Sequence, residues 1–251
     1  QAETAGNATA EAYAVHRLGC LALVSDDMPR AENFIADALV RYRRIGELNS
    51  NVLMGQVELA MAVAFQGDVE QAVRLAQEVR EICQDHGERW TLAYALYVLA
   101  YASWLADQPE RARRLAEESL AIDHAFHDLV GAVLALELLA LVTEGEGAPQ
   151  EAAVLQGAAG RLWESVGLRL FGSRYFNAPH TVCERRVREA LGDAAYAEAL
   201  VEGRRLSLDE AVRRALERPP ATAAPRRRPP GPRTHEPAAS EEAAGVEDQR
   251  A

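Results

Sequence analysis

Lysine is missing from this 251-residue chain; all 27 basic residues are arginine. A P-loop needs the lysine that reaches the terminal phosphates of a nucleotide, so this chain cannot carry one. Pyridoxal-phosphate and class I aldolase chemistry run through a lysine amine and are excluded with it. Aromatic residues are scarce, at 6%. The three cysteines, Cys20, Cys83 and Cys183, are odd in number and far apart. They make neither a disulfide framework nor a metal-ligand pattern, which points to a reducing, cytoplasmic setting. There is no uninterrupted apolar run of roughly 18 residues and no secretory signal, so no membrane association is expected. The first residue is Gln1 and not Met, and the chain reads as a fragment of a longer protein.

What is abundant is alanine, 48 residues of it, together with leucine, glutamate and arginine. These are strong helix formers, and β-branched residues are few, so the expected class is all-α. The formal charge is −11. Residues 219–251 hold five arginines and five acidic residues, so the whole excess falls on 1–218. A body this acidic repels phosphate backbones, and direct nucleic-acid binding by this chain is not expected.

Four segments of the sequence repeat one another. Each begins with a leucine beside a small residue: Leu18-Gly19, Leu59-Ala60, Leu99-Ala100 and Leu139-Ala140. A polar turn follows: Ser25-Asp26-Asp27, Gln66-Gly67-Asp68, Asp107-Gln108-Pro109 and Gly145-Glu146-Gly147. Then comes a central alanine, at Ala31, Ala72, Ala112 and Ala152, in steps of 41, 40 and 40. The pattern predicts four helix hairpins. Met28, Val69 and Pro109 open second helices, proline being suited to a first turn where its missing N–H would be unpaired anyway. Alanines four apart, Ala72 with Ala76 and Ala112 with Ala116, share the face where helices cross. Gly46, Gly87 and Gly167 are placed to end second helices in a left-handed cap.

This arrangement resembles the tetratricopeptide repeat, over about residues 10–168. The step of 40 or 41 exceeds the usual repeat of about 34 residues. It is similar to the longer-helix variety of bacterial regulators and motor light chains. The early aromatic residue and the closing proline of the usual unit are missing, and HEAT-type repeats are the alternative of similar length. The expected organisation is a tetratricopeptide-like α-solenoid at 1–168, a helical cap at 169–218 and a disordered tail at 219–251 rich in Pro, Ala, Arg and Glu.

Beyond Gly167, residues 168–179 read as an irregular, partly buried connection. Three short helices are expected next: about His180 to Leu191, a second capped by Asp193 and running to Gly203, and a third opened by the capping box of Ser207 and Glu210. Three stretches here, Glu151-Ala-Ala-Val-Leu-Gln-Gly-Ala-Ala-Gly-Arg-Leu-Trp163, Ala190-Leu-Gly-Asp-Ala-Ala-Tyr196 and Glu202-Gly-Arg-Arg-Leu-Ser-Leu-Asp-Glu-Ala-Val212, are similar to the C-terminal region of actinobacterial regulators of the LuxR and AfsR types. In those proteins a signal-transduction ATPase module precedes the repeats. The resemblance implies a non-enzymatic interaction or effector-sensing module that works with an upstream ATPase or regulatory domain of the same parent. A scaffold for an ATPase-linked cyclase or kinase is the other reading.

Candidates for chemistry are few, and no catalytic residue, cofactor or metal site is assigned. His124, His127 and Asp128 could share a helix face around a metal, but they fall where a second helix should end, and histidines suit a helix C-terminus. His180 and Cys183 lack an oxyanion hole and an orienting third group, so Cys183 reads as a small buried hydrophobe. Gly145-Glu146-Gly147-Ala148 reads as a repeat turn. Arg226-Arg227-Arg228 lies in a stretch of zero net charge and reads as a solvated linker. Tyr94, Tyr97, Tyr101 and Trp104 lie on one helix face, as repeat core or as a groove lining. The expected partner is a protein, peptide or small effector on a concave face formed by first helices, with Tyr13, Glu58, Tyr97 and Glu137 as candidate lining.

Overall fold

The computed structural model describes residues 2–167 and 169–217, and the expected disordered tail at 219–251 lies outside them. Eight helices form four antiparallel hairpins: α1 (Ala2–Val24) with α2 (Met28–Ile45), α3 (Ser50–Phe65) with α4 (Val69–His86), α5 (Trp90–Leu105) with α6 (Pro109–Phe126), and α7 (Leu129–Gly145) with α8 (Pro149–Val166). A short 3-10 turn, Arg169–Gly172, leads into α9 (Arg174–Leu191), α10 (Asp193–Arg204) and α11 (Leu208–Leu216). No strand occurs among the described residues.

The repeat in the sequence is the repeat in space. Ala31, Ala72, Ala112 and Ala152 are all fully buried, as are Ala60, Ala100, Ala140, Ala76 and Ala116. With no side chain beyond Cβ, these positions let neighbouring helices approach closely. Each second helix ends on a left-handed residue at one repeat position, held by Gly46, Gly87, His127 and Gly167. Three are glycine, which takes a positive φ without a Cβ clash; His127 takes it at φ 55°. Side-chain caps begin the helices at Asp27, Asn49, Asp68 and Asp128.

The first helices form the continuous contact along the stack. The first helices α1, α3, α5 and α7 each pack on the next, whereas successive second helices are not in comparable contact. The predominantly apolar middle helices follow from this position: α5 and α7 are sandwiched between hairpins and are buried over most of their circumference.

Two expectations for the C-terminal segment are corrected. The helix expected from His180 begins at Arg174, six residues earlier, because Ser173 caps the N–H groups of Tyr175 and Phe176. Pro179 sits inside that helix, at its sixth residue, and is buried there. The next helix is not capped by Asp193, which is its first residue; the capping position is Gly192, which makes no side-chain bond. The capping box of Ser207 and Glu210 forms as expected. Helix α10 lies directly on α8, because a Cβ at Gly157 would overlap the Leu200 backbone and one at Gly203 the Val154 carbonyl. Helix α11 packs on α6, α7 and α8.

Candidate interaction groove

The inner surface divides into a covered and an open half. At the covered end, α9 packs on α7 and α8 and reaches α3 through Phe65. Its start is held at the turn of the first hairpin, where Asp26 accepts hydrogen bonds from the Ser173 hydroxyl and the Arg174 N–H. Aromatic rings continue the contact: Trp163 on Phe171, Phe171 on Phe176, Phe176 on Phe65, and Phe65 on Tyr101, with ring centres 5.0–5.7 Å apart. Farther along, His180 Nδ1 meets Glu137 Oε2 at 2.7 Å, and Arg186 donates to Glu144 at 3.2 Å. Gln156 Nε2 donates to the His180 carbonyl at 3.0 Å and Tyr196 donates to Gln156 Oε1, so α7, α8, α9 and α10 share one polar chain.

The four candidate lining residues fall on both sides of this division. Tyr13 is exposed, and the Arg17 guanidinium lies over its ring at 5.1 Å. Glu58 is partly exposed on α3. Tyr97 is buried, and its hydroxyl is raised well above the usual tyrosine range by burial, then by Tyr101 and Glu137. Glu137 is buried under α9 as the partner of His180. Tyr94 and Tyr101 are also raised by burial, Tyr101 to about 12, so the aromatic face of α5 is largely core.

A cleft of about 280 Å³ lies between α8, α9 and α10, lined by Gln156, Trp163, His180, Glu184, Tyr196 and Arg204 among others. The Trp163 indole N–H is buried there with no hydrogen-bond partner, a donor left for an acceptor atom. The volume is just below the range of small-molecule sites, about 300–1,000 Å³.

The other local candidates resolve into structural roles. His124 pairs with Asp209 of α11 at 2.7 Å, His127 is the left-handed cap of α6, and Asp128 caps α7 while accepting from Trp90 and Tyr94. The three are thus drawn to different partners. The thiol of Cys183 is fully buried and pushed well above the usual range by burial, then by Glu137 and Glu144, so it does not supply a thiolate. Gly145 ends α7, and Glu146–Ala148 form the turn to α8. Arg226–Arg228 lie outside the described residues.

One constellation was missed in the sequence. His16 and Cys20 on α1 both reach Glu58 of α3, His16 Nε2 at 2.6 Å and Cys20 Sγ at 3.0 Å from the same carboxylate oxygen. The signal that could have found it is the four-residue spacing of His16 and Cys20, which puts both on one helix face.

No family model matches the chain. Over 161 residues it is 31% identical to proteins named "Putative HTH-type transcriptional regulator" in Mycobacterium bovis and in two strains of Mycobacterium tuberculosis. The match takes in 64% of this chain but only 18% of the length of those relatives. Among solved structures, the chain is similar to "Podosopora anserina putative kinesin light chain nearly identical TPR-like repeats". The TM-score is 0.52 at 19% identity, over 78% of this chain and 94% of that one. A second structure of the same repeats, carrying a methionine substitution, gives 0.53 at 18% identity, with the same coverage. The fold is therefore a tetratricopeptide-like helical repeat, closed at one end by helices of its own.

Proposed function

We propose that this chain is the non-enzymatic helical-repeat module of a larger bacterial transcriptional regulator, of the LuxR or AfsR type. It binds a protein, peptide or small effector on its inner face and relays that binding, in the cytoplasm, to an upstream ATPase or regulatory domain. The observation that carries the reading is the 31% identity to mycobacterial proteins named as transcriptional regulators, joined to a fold of stacked hairpins. In such an array each hairpin contacts its neighbours, so a ligand seated on several first helices changes how the hairpins lie on one another. Here α9 already spans the inner face from the first turn to the fourth hairpin. A ligand that competes with α9, or that settles in the Trp163 cleft beneath it, shifts the balance between α9 docked and α9 released.

Deletion of residues 7–217 from the parent regulator is expected to abolish the effector-dependent change in transcription and leave operator binding by the DNA-reading segment intact. An unchanged response after that deletion overturns the reading. So does measurable catalytic turnover by the purified chain.

A further inference from the structure

The regulator reading makes no use of the cluster formed by His16, Cys20 and Glu58. An imidazole, a thiol and a carboxylate from two facing helices put one ligand atom each within 4.8 Å of one another. Among the described residues these are the His, Cys, Asp and Glu side chains gathered closely enough to hold one ion. His16 is fully buried, and Glu58 and Cys20 open partly to solvent, so an ion has an entry path. We propose that His16 Nε2, Cys20 Sγ and Glu58 bind a divalent transition-metal ion of the zinc type, with water in the fourth position.

The donor set fits that ion. Thiolate, imidazole and carboxylate are the three ligand types zinc accepts, and a site with three protein ligands keeps one position open. In the metal-free protein Glu58 Oε2 accepts from both the His16 ring N–H and the Cys20 S–H. Metal binding replaces these two shared hydrogens. The thiol loses its proton to solvent, the imidazole moves its proton from Nε2 to Nδ1, and all three ligand atoms turn their lone pairs to the ion. With tetrahedral bonds of roughly 2.0–2.3 Å the ligand atoms must stand about 3.3–3.7 Å apart. The observed 2.6 and 3.0 Å therefore open by roughly 1 Å or less, within reach of the partly exposed Glu58 side chain.

Two neighbours support the site. A Cβ at Gly55 would come within 3.1 Å of His16 Nε2, so the bare backbone leaves the space the ligating nitrogen uses. Tyr42 packs edge-on against His16, ring centres 6.0 Å apart, and its buried hydroxyl has no hydrogen-bond partner. Arg17 opposes the site. Its guanidinium lies 3.2–3.3 Å from both ring nitrogens of His16, and it must swing away from an incoming cation. Since Arg17 is exposed at the rim, it can do so.

The test is titration of the full chain, reduced and metal-free, with Co2+ followed by absorbance and with Zn2+ followed by thermal unfolding. One Co2+ per chain should bind with a thiolate-to-metal charge-transfer band. Saturating Zn2+ should raise Tm by about 5–10 °C. Cys20→Ser should remove the band, Glu58→Gln should weaken binding at least ten-fold, and Arg17→Gln should tighten it. Each variant is first checked for unchanged helical circular dichroism, and Arg17→Gln keeps the test open should the ligand variants unfold. Absence of a charge-transfer band in the wild type overturns the proposal. A band that survives in Cys20→Ser does the same, because it places the ion on Cys83 or Cys183.

Discussion

The first and last hairpins are built from the same repeat, yet the same position does different things in them. The repeat leucine is 47% exposed at Leu18, 8% at Leu59, 1% at Leu99 and 0% at Leu139. Two residues before it stand His16, Val57, Tyr97 and Glu137, and the two ends of the stack each place an imidazole–carboxylate pair at that site: His16 with Glu58, and Glu137 with His180. The first pair reaches solvent through Glu58, with a thiol at hand. The second is sealed beneath α9, both side chains about 5% exposed. A second repeat contact divides the same way. The second helix reaches the turn of the next hairpin through Glu32 and Gln66 in an exposed hydrogen bond of 2.8 Å, and through a buried Arg113 and a partly buried Glu146 in a two-pronged ion pair. Repetition fixes where a residue sits along the hairpin; what covers that hairpin decides whether the residue is scaffold or site.

The contrast can be broken most forcefully at Arg113. Its guanidinium is buried against Glu146, Glu117 and Thr143, so Arg113→Ala strands carboxylates and should cost about 3–5 kcal/mol in chemical denaturation, while Glu32→Ala should stay within about 0.5 kcal/mol. Comparable losses for the two would show that burial is not what separates the ends. Next in size, Leu139→Ala should cost about 2–5 kcal/mol against less than about 1 for Leu18→Ala.

A pH experiment refines the covered half. Burial, then repulsion by Asp128, pushes the Asp123 carboxyl up to about 8. The protonated acid can donate to the Ser119 hydroxyl, which donates to the Ala93 carbonyl and ties α6 to α5. Because the folded state holds this proton more tightly than the unfolded chain does, its contribution to stability is complete below about pH 4. That contribution is lost as pH rises toward 8. Asp123→Asn keeps the hydrogen bonds without the titration. It should match the wild type near pH 4 and exceed it by about 1–3 kcal/mol at pH 8, as read from thermal unfolding across that range. The smallest effect expected is a gain of about 0.5 kcal/mol for His127→Gly in urea unfolding, since this position is glycine in the three other hairpins.

The hairpins were legible because their signal is local: small residues at helix crossings and left-handed caps recur every 40 or 41 positions regardless of what packs outside. The start of α9 was not. Pro179 reads as a breaker, and the Ser173 cap that overrides it is reinforced by Asp26, 147 residues away. Tyr97 and Glu137 lie on the first helices α5 and α7, but nothing in the sequence tells that α9 covers Glu137. The His16, Cys20 and Glu58 cluster escaped for a related reason. Its third member lies on another helix, about one repeat along, and joins the others only after the hairpins stack.

Stacked hairpins ordinarily form a one-dimensional polymer, whose contacts reach one unit along the chain and whose ends can fray independently. The bonds from Ser173 and Arg174 to Asp26, with Phe176 against Phe65, turn this polymer into a loop. Its first turn is finished only by a segment that leaves the ribosome some 147 residues later. Folding to completion therefore waits on long-range closure, and such closure slows folding more than it changes stability. Until α9 arrives, the inner face of the nascent array stands open, as a released α9 would leave it in the finished protein.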